Sequence, residues 1–314
     1  MTVQFGFSLT GRGILAEREA ITGLAQHAER LAYDSIWVTD RLLIPVGPTS
    51  AYPYSPTGKL PIGPDEPWFE ALTAVTYLLA ITQRIRVGTS VLVIPYRNPV
   101  FTAKALATAD CLSGGRVILG AGAGWWREEF EGVGVPFEDR GARTVEALRI
   151  MKEIWTKPRV TFEGQFFRIP QSGGVRPHPI QRPHIPIWIG GHTDAALKRV
   201  VEIADGWHPL GLRPPVKLYP PEMAERIRRL RELAEVAGRD SASITITFKG
   251  PMGFGPPANP RTPLTGSAAQ IAEDLQAYVD LGVSHFVLDF TVSTVAAMHE
   301  VLERFAAEVR PQIG

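Results

Sequence analysis

Four titratable side chains follow stretches of this chain that are predicted to be buried strands. Asp40 and Arg41 follow one such stretch, and His192 and His208 each follow another. A carboxylate accepts protons, a guanidinium holds an anion through parallel hydrogen bonds, and imidazole is the side chain most easily poised near neutral pH. We therefore take Asp40, Arg41, His192 and His208 as the candidate catalytic residues.

Two glycine-rich segments point to a phosphorylated ligand. Gly190 to Asp194 leads directly into a predicted helix, where free amides and the helix dipole attract phosphate. A tight turn capped by Thr193 or Asp194 is the alternative for the same residues. Gly120 to Gly124 stands at the carboxyl end of another strand, and its small residues let a ligand approach the main chain. Together they predict a site for a flat, phosphorylated ring.

A third segment belongs to the same predicted edge. Ile85 to Ile94 is rich in Val, Ile and Thr without a helical period, which predicts a strand buried on both faces. Asn98 can then cap a helix whose first residue is Pro99, since proline has no amide to leave unpaired there. The segment Ser90 to Asn98 is therefore expected at the carboxyl end of the third strand.

The elements that must position these residues alternate between strand and helix. Strands are predicted over Val3–Ser8, Ser35–Thr39, Ile85–Ile94, Arg116–Leu119, Ile185–Ile189, Asp205–His208, Ile244–Phe248 and His285–Leu288. Helices are predicted over Glu17–Leu31, Trp68–Ala80, Pro99–Leu112 and Glu138–Trp155, and from near Asp194, Pro221, Ser267 and Val295. Eight strand–helix pairs favour an α/β fold of the (β/α)8 TIM-barrel type, in which the loops after the strands carry the chemistry.

Two insertions interrupt this alternation. Arg41 to Glu66, after strand 2, is rich in Pro, Gly and Tyr and is a candidate lid. Arg159 to Gln181, between helix 4 and strand 5, carries a pattern that predicts a small hairpin. An apolar substrate wall is expected from Trp125, Trp126, Trp68, Tyr52 and Tyr54, although aromatic residues are also ordinary core. No linker is visible, so residues 1–314 are expected to form a single domain.

Composition excludes several classes of protein. The chain has 314 residues, 45% of them hydrophobic, and a formal net charge of +1 without a basic block, so nucleic acid is not an expected partner. Neither a signal peptide nor a membrane-spanning apolar run is visible, so we expect a cytoplasmic protein with no membrane partner. The single cysteine excludes an internal disulfide, and the histidine spacing offers no metal site.

The chain resembles the luciferase-like monooxygenase superfamily, and within it the branch of F420-dependent oxidoreductases. The resemblance rests on five segments in the family's order: Gly88–Pro99, Leu112–Trp125, Gly134–Arg143, Pro183–Gly191 and Ala204–Pro209. It implies a (β/α)8 barrel that holds F420, or alternatively FMN, at its carboxyl face. It also implies a small-molecule substrate and a homodimer or higher homo-oligomer.

The resemblance assigns roles residue by residue. Ser90 and Val91 stand where F420-binding members have a non-prolyl cis peptide behind the central ring, and Asp40 matches the family acid after strand two. The remaining cofactor-binding positions are the strand-four turn, the phosphate loop and the ends of strands one and three: Ala123, Gly124, Gly190, Gly191, His192, Thr193, Ser8 and Asn98. No metal is expected.

The sequence departs from some relatives at the positions of the proton chemistry. Several deazaflavin dehydrogenases have His after the strand-two acid and Glu at the strand-four turn, where this chain has Arg41 and Trp125. Arg41 is expected to hold an anionic group or to pair with Glu66 or Glu70, and Asp40 to cap a helix or pair with Arg41. These differences favour reduction of an activated double bond, or flavin-dependent oxygenation, over the proton chemistry of those dehydrogenases. From the resemblance we expect F420-dependent hydride transfer to or from a small organic substrate. FMN-dependent monooxygenation with a separate flavin reductase is the first alternative, and a non-catalytic flavin-binding barrel is the second.

Two other ligand sites compete with this interpretation. Gly120, Gly122 and Gly124 superficially match a dinucleotide fingerprint, although Trp125 stands where that motif needs a small residue. The loop Gly250 to Gly266 follows strand seven, where barrels often bind phosphate.

Overall fold

The computed structural model describes residues 2–172, 174–256 and 261–313, and within these ranges eight parallel strands close into a barrel. The barrel strands are Gln4–Ser8 (β1), Ser35–Val38 (β2), Arg86–Thr89 (β3), Val117–Gly122 (β4), Ile187–Gly190 (β5), Gly206–His208 (β6), Thr245–Phe254 (β7) and His285–Phe290 (β8). Closure is visible at β1, because Phe7 pairs with Ile36 of β2 on one side and with Leu288 of β8 on the other. The predicted (β/α)8 barrel is confirmed.

Helices surround this barrel. They are Arg18–Arg30 (α1), Ala71–Ile81 (α2), Pro99–Ser113 (α3), Arg127–Gly132 (α4), Arg140–Thr156 (α5), Asp194–Ile203 (α6), Pro220–Val236 (α7), Ala268–Val279 (α8) and Val295–Arg304 (α9). The short α4 was not predicted, since six residues are too few for a periodic pattern. Among the residues described, none of the helices has both the length and the apolar character needed to span a bilayer.

Aromatic and imidazole rings fill the inside of the barrel. Trp37 of β2 stacks on Trp188 of β5 at 5.2 Å between ring centroids and on His208 of β6 at 4.9 Å. A Cβ on Gly88 of β3 would lie 2.5 Å from the Trp37 ring, so this strand must present a glycine there. The barrel interior is thus a packed core rather than a channel, and the ligand space lies above it.

The prediction of a continuous third strand over Ile85–Ile94 is wrong. β3 ends at Thr89, a non-prolyl cis peptide joins Ser90 to Val91, and a two-residue strand, Leu92–Val93, then pairs with the end of β4. The cis geometry expected from the family resemblance is therefore present.

The fourth strand is longer than predicted, and this removes the dinucleotide interpretation of its glycines. β4 continues through Gly120 and Gly122, and a Cβ on Gly120 would lie 1.8 Å from the Thr89 carbonyl oxygen. Close strand packing therefore accounts for this glycine.

The two insertions differ in structure. Residues 41–66 contain neither helix nor strand and lie over the carboxyl end of the barrel, where several of them line the cavity described below. The second insertion contains the predicted hairpin, since Phe162–Glu163 pairs antiparallel with Arg168–Ile169.

Candidate active site at the carboxyl end of the barrel

A cavity of about 950 Å³ opens at the carboxyl ends of the barrel strands. Eleven of the candidate site residues line it: Ser8, Asp40, Arg41, Ser90, Val91, Ala123, Gly124, Gly190, Gly191, Thr193 and His208. Two candidates lie outside its lining. Asn98 is exposed and caps α3 by accepting hydrogen bonds from Val100 N and Phe101 N, and His192 is half-buried beside the Tyr54 ring.

Asp40 is held by an arginine that the sequence did not single out. The carboxylate is 4% exposed and accepts one hydrogen bond from each terminal nitrogen of Arg97, both at 2.7 Å. It also accepts from Val93 N at 2.9 Å, which ties the end of β2 to the segment after the cis peptide. Neither expected alternative, a helix cap or a pair with Arg41, occurs. A carboxylate clamped in this way holds the end of β2 in position.

Arg41 is paired with Glu129 of α4, and the expected partners Glu66 and Glu70 are wrong. Glu129 is fully buried and also accepts from Tyr96 Oη at 2.8 Å and from Leu42 N at 2.8 Å. Burial, followed by the Glu129 charge, raises the pKa of Tyr96, so this hydroxyl stays protonated. The Arg41 guanidinium lies 4.8 Å from the Trp126 ring centroid. Its charge is therefore already balanced in the folded chain.

His208 is a neutral core histidine whose edge reaches the cavity floor. It is 2% exposed, with Nδ1 2.7 Å from Thr247 Oγ1 and Nε2 2.9 Å from Ser90 Oγ. Burial, followed by the nearby Lys249 charge, lowers the pKa of His208 to about 3. At neutral pH it acts as a hydrogen-bonding group and carries no charge.

The segment after β5 presents unpaired amides. Gly191 has φ +99°, and its carbonyl accepts from Trp207 Nε1 at 2.7 Å, while the His192 carbonyl accepts from Arg226. With the carbonyls held in this way, the N–H groups of His192 and Thr193 donate to no group among the described residues. Thr193 also caps α6, so the turn proposed as the alternative is present in the same segment.

Arg199 completes what we call the anion corner, which consists of the two amides of residues 192 and 193 and the Arg199 guanidinium. Arg199 lines the cavity from α6 and makes no hydrogen bond or ion pair within the described part of the chain. A Cβ on Gly141 would lie 3.4 Å from Arg199 Nη1, so the guanidinium lies against the start of α5. Free amides, a helix N-terminus and an unpaired cation together fit a phosphate group.

A family model described as luciferase-like monooxygenase matches residues 3–258. The chain belongs to the luciferase-like monooxygenase family. It is accordingly an enzyme of the oxidoreductase and monooxygenase type that this family comprises.

Relatives of this luciferase-like protein differ in the cofactor that they are named for. It is 30% identical over 245 residues to an F420-dependent glucose-6-phosphate dehydrogenase of Kineococcus radiotolerans, covering 74% of this chain and 64% of the relative. It is 35% identical over 142 residues to an FMNH2-dependent dimethylsulfone monooxygenase of Pseudomonas putida, covering 44% of this chain and 38% of the relative. An F420-dependent secondary alcohol dehydrogenase, solved with an F420-acetone adduct, has the same fold at a TM-score of 0.78, with 18% identity and complete coverage of both chains.

An aromatic wall closes one side of the luciferase-like cavity. Tyr52 and Tyr54 of the insertion, together with Trp68 and Trp125, line it, and Trp126 stacks behind Trp125 at 4.9 Å. Tyr52 lies 5.1 Å from Trp125, so the insertion and the loop after β4 meet through their rings. The predicted wall is therefore present, with Trp126 buried behind it.

The polar floor of the cavity contains two residues that the sequence analysis missed. Lys249 of β7 is 7% exposed and donates from Nζ to Ser90 Oγ at 3.1 Å. Asp289 of β8 lies 3.6 Å from Lys249 Nζ and accepts from Arg213 at 3.1 Å. The available signal was a charged residue inside an otherwise apolar strand, since lysine is rarely buried without a reason.

The loop after β7 does not contribute its arginine to this site. Arg261 forms two hydrogen bonds, at 2.6 and 2.7 Å, with Asp274 of α8. Residues 257–260 of the same loop lie outside the described residues.

Proposed function

We propose that this luciferase-like enzyme binds F420 in the cavity and transfers hydride between that cofactor and a small organic substrate. The anion corner is the observation that carries the proposal, because an unpaired Arg199 and two free amides around the same cavity are matched to the phosphorylated tail of such a cofactor. The K. radiotolerans relative named for F420 aligns over three quarters of this chain, which supports the same cofactor.

The floor next to the anion corner fits a flat ring. Val91 packs against β4 and β5, where a Cβ on Gly122 or Gly190 would lie 2.5 or 3.0 Å from its methyl groups. The two glycines therefore let the Ser90–Val91 turn sit low between the strands and leave the space above it open. The aromatic wall faces that space from the lid side.

Each group has a limited task in this arrangement. Bound F420 supplies the ring carbon that gives or takes hydride. The anion corner fixes the tail, the Ser90–Val91 turn supports one ring face, and the aromatic wall excludes water and orients the substrate.

FMN-dependent monooxygenation, with a separate flavin reductase as partner, is the second candidate. The P. putida relative is named for FMNH2, and the tryptophans and tyrosines of the wall supply the apolar enclosure that an oxygenating flavin needs. Titration of the purified protein with F420 and with FMN, followed by fluorescence quenching, separates the two. Tighter F420 binding supports hydride transfer, and preference for FMN supports monooxygenation. Tight binding of either, without turnover of its reduced form, favours the non-catalytic barrel.

The site assignment is tested by adding a negative charge beside the anion corner. Gly191→Asp is expected to abolish binding of the preferred cofactor, because its carboxylate repels the phosphate. Gly134→Asp is the matched control: Gly134 also has positive φ, at +71°, but does not line the cavity, and a Cβ there meets nothing within 4 Å. Equal affinity of the two variants would place the tail elsewhere.

A further inference from the structure

We infer that Lys249 is the proton donor of this site, and that the substrate therefore carries a carbonyl oxygen or an imine nitrogen next to the carbon that takes hydride. The inference rests on the proposed function for its source of hydride. Lys249 would replace the acid that several related dehydrogenases have and that this chain lacks.

The proposed reaction consists of one hydride transfer and one proton transfer. Hydride from the reduced cofactor adds to the substrate carbon, and the π electron pair moves to the oxygen or nitrogen. That atom takes a proton from Lys249 Nζ, whose N–H bond breaks and leaves its electron pair on nitrogen. The products are an alcohol or amine, the oxidised cofactor and a neutral lysine, which regains a proton from water.

Lys249 has the required position. It stands in β7 and lines the cavity, and its Nζ lies 3.1 Å from the Oγ of Ser90, the first residue of the turn assigned to the ring. A proton at Nζ is therefore held at the edge of the surface on which the ring would lie. This proximity is what a general acid needs before its pKa matters.

The direction of the hydrogen bonds around Ser90 is fixed by a backbone carbonyl. Thr247 Oγ1 donates its single proton to the Trp207 carbonyl at 3.0 Å. It can therefore only accept from His208 Nδ1, so Nδ1 carries the ring proton. Nε2 of His208 is then an acceptor, and Ser90 Oγ donates to it at 2.9 Å. Ser90 therefore accepts from Lys249 and cannot take its place as donor. Ser90 and His208 are positioning residues that hold the ammonium group.

The counterion of Lys249 is shared. The Asp289 carboxylate lies closer to Arg213, at 3.1 Å, than to Lys249 Nζ, at 3.6 Å. An ammonium group has three N–H donors. With Ser90 and Asp289 both counted as partners, one donor is left for a ligand in the cavity.

Four other titratable residues of the cavity lining, Asp40, Glu66, His208 and Tyr54, are unsuited to this task. Asp40 and Glu66 are each paired with an arginine, at 2.7 and 3.0 Å. His208 is neutral and both of its ring nitrogens are engaged. Burial raises the pKa of Tyr54 to about 12, which makes it a weaker acid than an ordinary tyrosine.

The charges around Lys249 act in the direction that the role requires. Burial lowers its pKa, the Asp289 carboxylate of β8 opposes this, and Arg213 and Arg12 from the loops after β6 and β1 reinforce it. His208 of β6, the remaining titratable group close to it, is uncharged at neutral pH. A lysine with a lowered pKa gives up its proton more readily near neutral pH.

The first test needs neither cofactor nor substrate. Lysines of the purified chain are dimethylated with isotope-labelled formaldehyde and titrated by NMR, and the Lys249 signal is assigned by its loss in Lys249→Met. We expect Lys249 to be modified through the cavity and to titrate at lower pH than Lys104, which is exposed on α3. Ser90→Ala is expected to shift the Lys249 titration and to leave that of Lys104 unchanged. Absence of modification, or titration together with Lys104, would overturn the inference.

The second test separates proton donation from cofactor binding. Lys249→Arg keeps the charge but cannot give up a proton, and Lys249→Met covers the case in which arginine does not fit. Both are expected to bind F420 within about threefold of wild type, and to oxidise reduced F420 with acetone, benzaldehyde or 1-pyrroline at least ~100-fold more slowly. Lys104→Met is the control at full rate. Loss of F420 affinity in both Lys249 variants would make Lys249 a cofactor anchor and refute proton donation. A wild type that binds F420 but turns over none of these probes would count against hydride transfer, while the titration still decides the state of Lys249.

Discussion

Arg199 is the side chain on which the proposed anion binding depends most directly. Most arginines near the cavity have a carboxylate partner, whereas Arg199 makes no ion pair within the described ranges. A charge-assisted hydrogen bond contributes about 1.5–3 kcal/mol, so Arg199→Met should weaken cofactor binding by about 10- to 150-fold. Fluorescence titration measures this directly. Arg228→Met, which removes an exposed guanidinium from α7, should leave the affinity unchanged, and equal affinities for the two variants would exclude Arg199 from the site.

Single residues were predictable as positions at strand ends but much less as partners. Asp40 was placed correctly in the cavity wall, yet its clamp, Arg97, lies 57 residues away along the chain. Glu129 was not predicted as the partner of Arg41, because it belongs to a helix of six residues that sequence periodicity does not reveal. Lys249 was passed over because the predicted strand ended at Phe248, whereas β7 continues to Phe254. Local sequence tells which end of a strand a residue occupies, whereas ion pairs depend on which strands become neighbours.

At the scale of elements, the lid is joined to α4 by one carboxylate. Glu128 accepts hydrogen bonds from Thr49 N at 2.6 Å and Ser50 N at 3.0 Å. Burial acts in the opposite direction, but the hydrogen bonds from Ser50 and Thr49 lower the pKa of Glu128 to about 2. The stabilisation is therefore complete above the ordinary carboxyl pKa and is lost only as the pH falls towards about 2.

Glu128→Gln should loosen the lid without unfolding the barrel. An amide side chain is a weaker acceptor than a carboxylate, so the Thr49 and Ser50 amides are expected to exchange with deuterium several-fold faster. Hydrogen exchange read by mass spectrometry measures this. Glu131→Gln, on the same helix but exposed, provides the comparison. Unchanged exchange in Glu128→Gln would show that the aromatic wall alone holds the lid in place.

At the scale of the whole molecule, the number and alternation of strands and helices predict the barrel. The contacts inside the barrel depend on how the sheet closes. The sequence identifies apolar strands, but only the closed sheet brings Trp37, Trp188, His208 and His285 into one stack. His285 is 1% exposed and lies between Ser35 Oγ and Gln4 Oε1. These contacts engage both of its ring nitrogens and make it a structural residue. The spacing of His208 gave no sign that it belongs to the same core.

Two buried neutral histidines make the stability of the barrel depend on pH. Burial lowers the pKa of His208 and of His285 from 6.5 to about 3 each, so the unfolded chain binds protons in this interval that the folded chain does not. A depressed histidine pKa favours folding above 6.5, and this advantage is lost as the pH falls. Urea unfolding should therefore give a free energy that decreases from pH 6.5 downwards, with a slope of up to about 2.7 kcal/mol per pH unit for two protons. The upper part of this window is decisive, because ordinary carboxylates titrate below it.

His285→Gln removes one of the two groups, so its slope should be about half that of the wild type whatever its absolute stability. An unchanged slope would show that His285 is protonated in the folded barrel, and it would remove the fixed, uncharged stack on which the position of His208 beneath Ser90 and Lys249 depends.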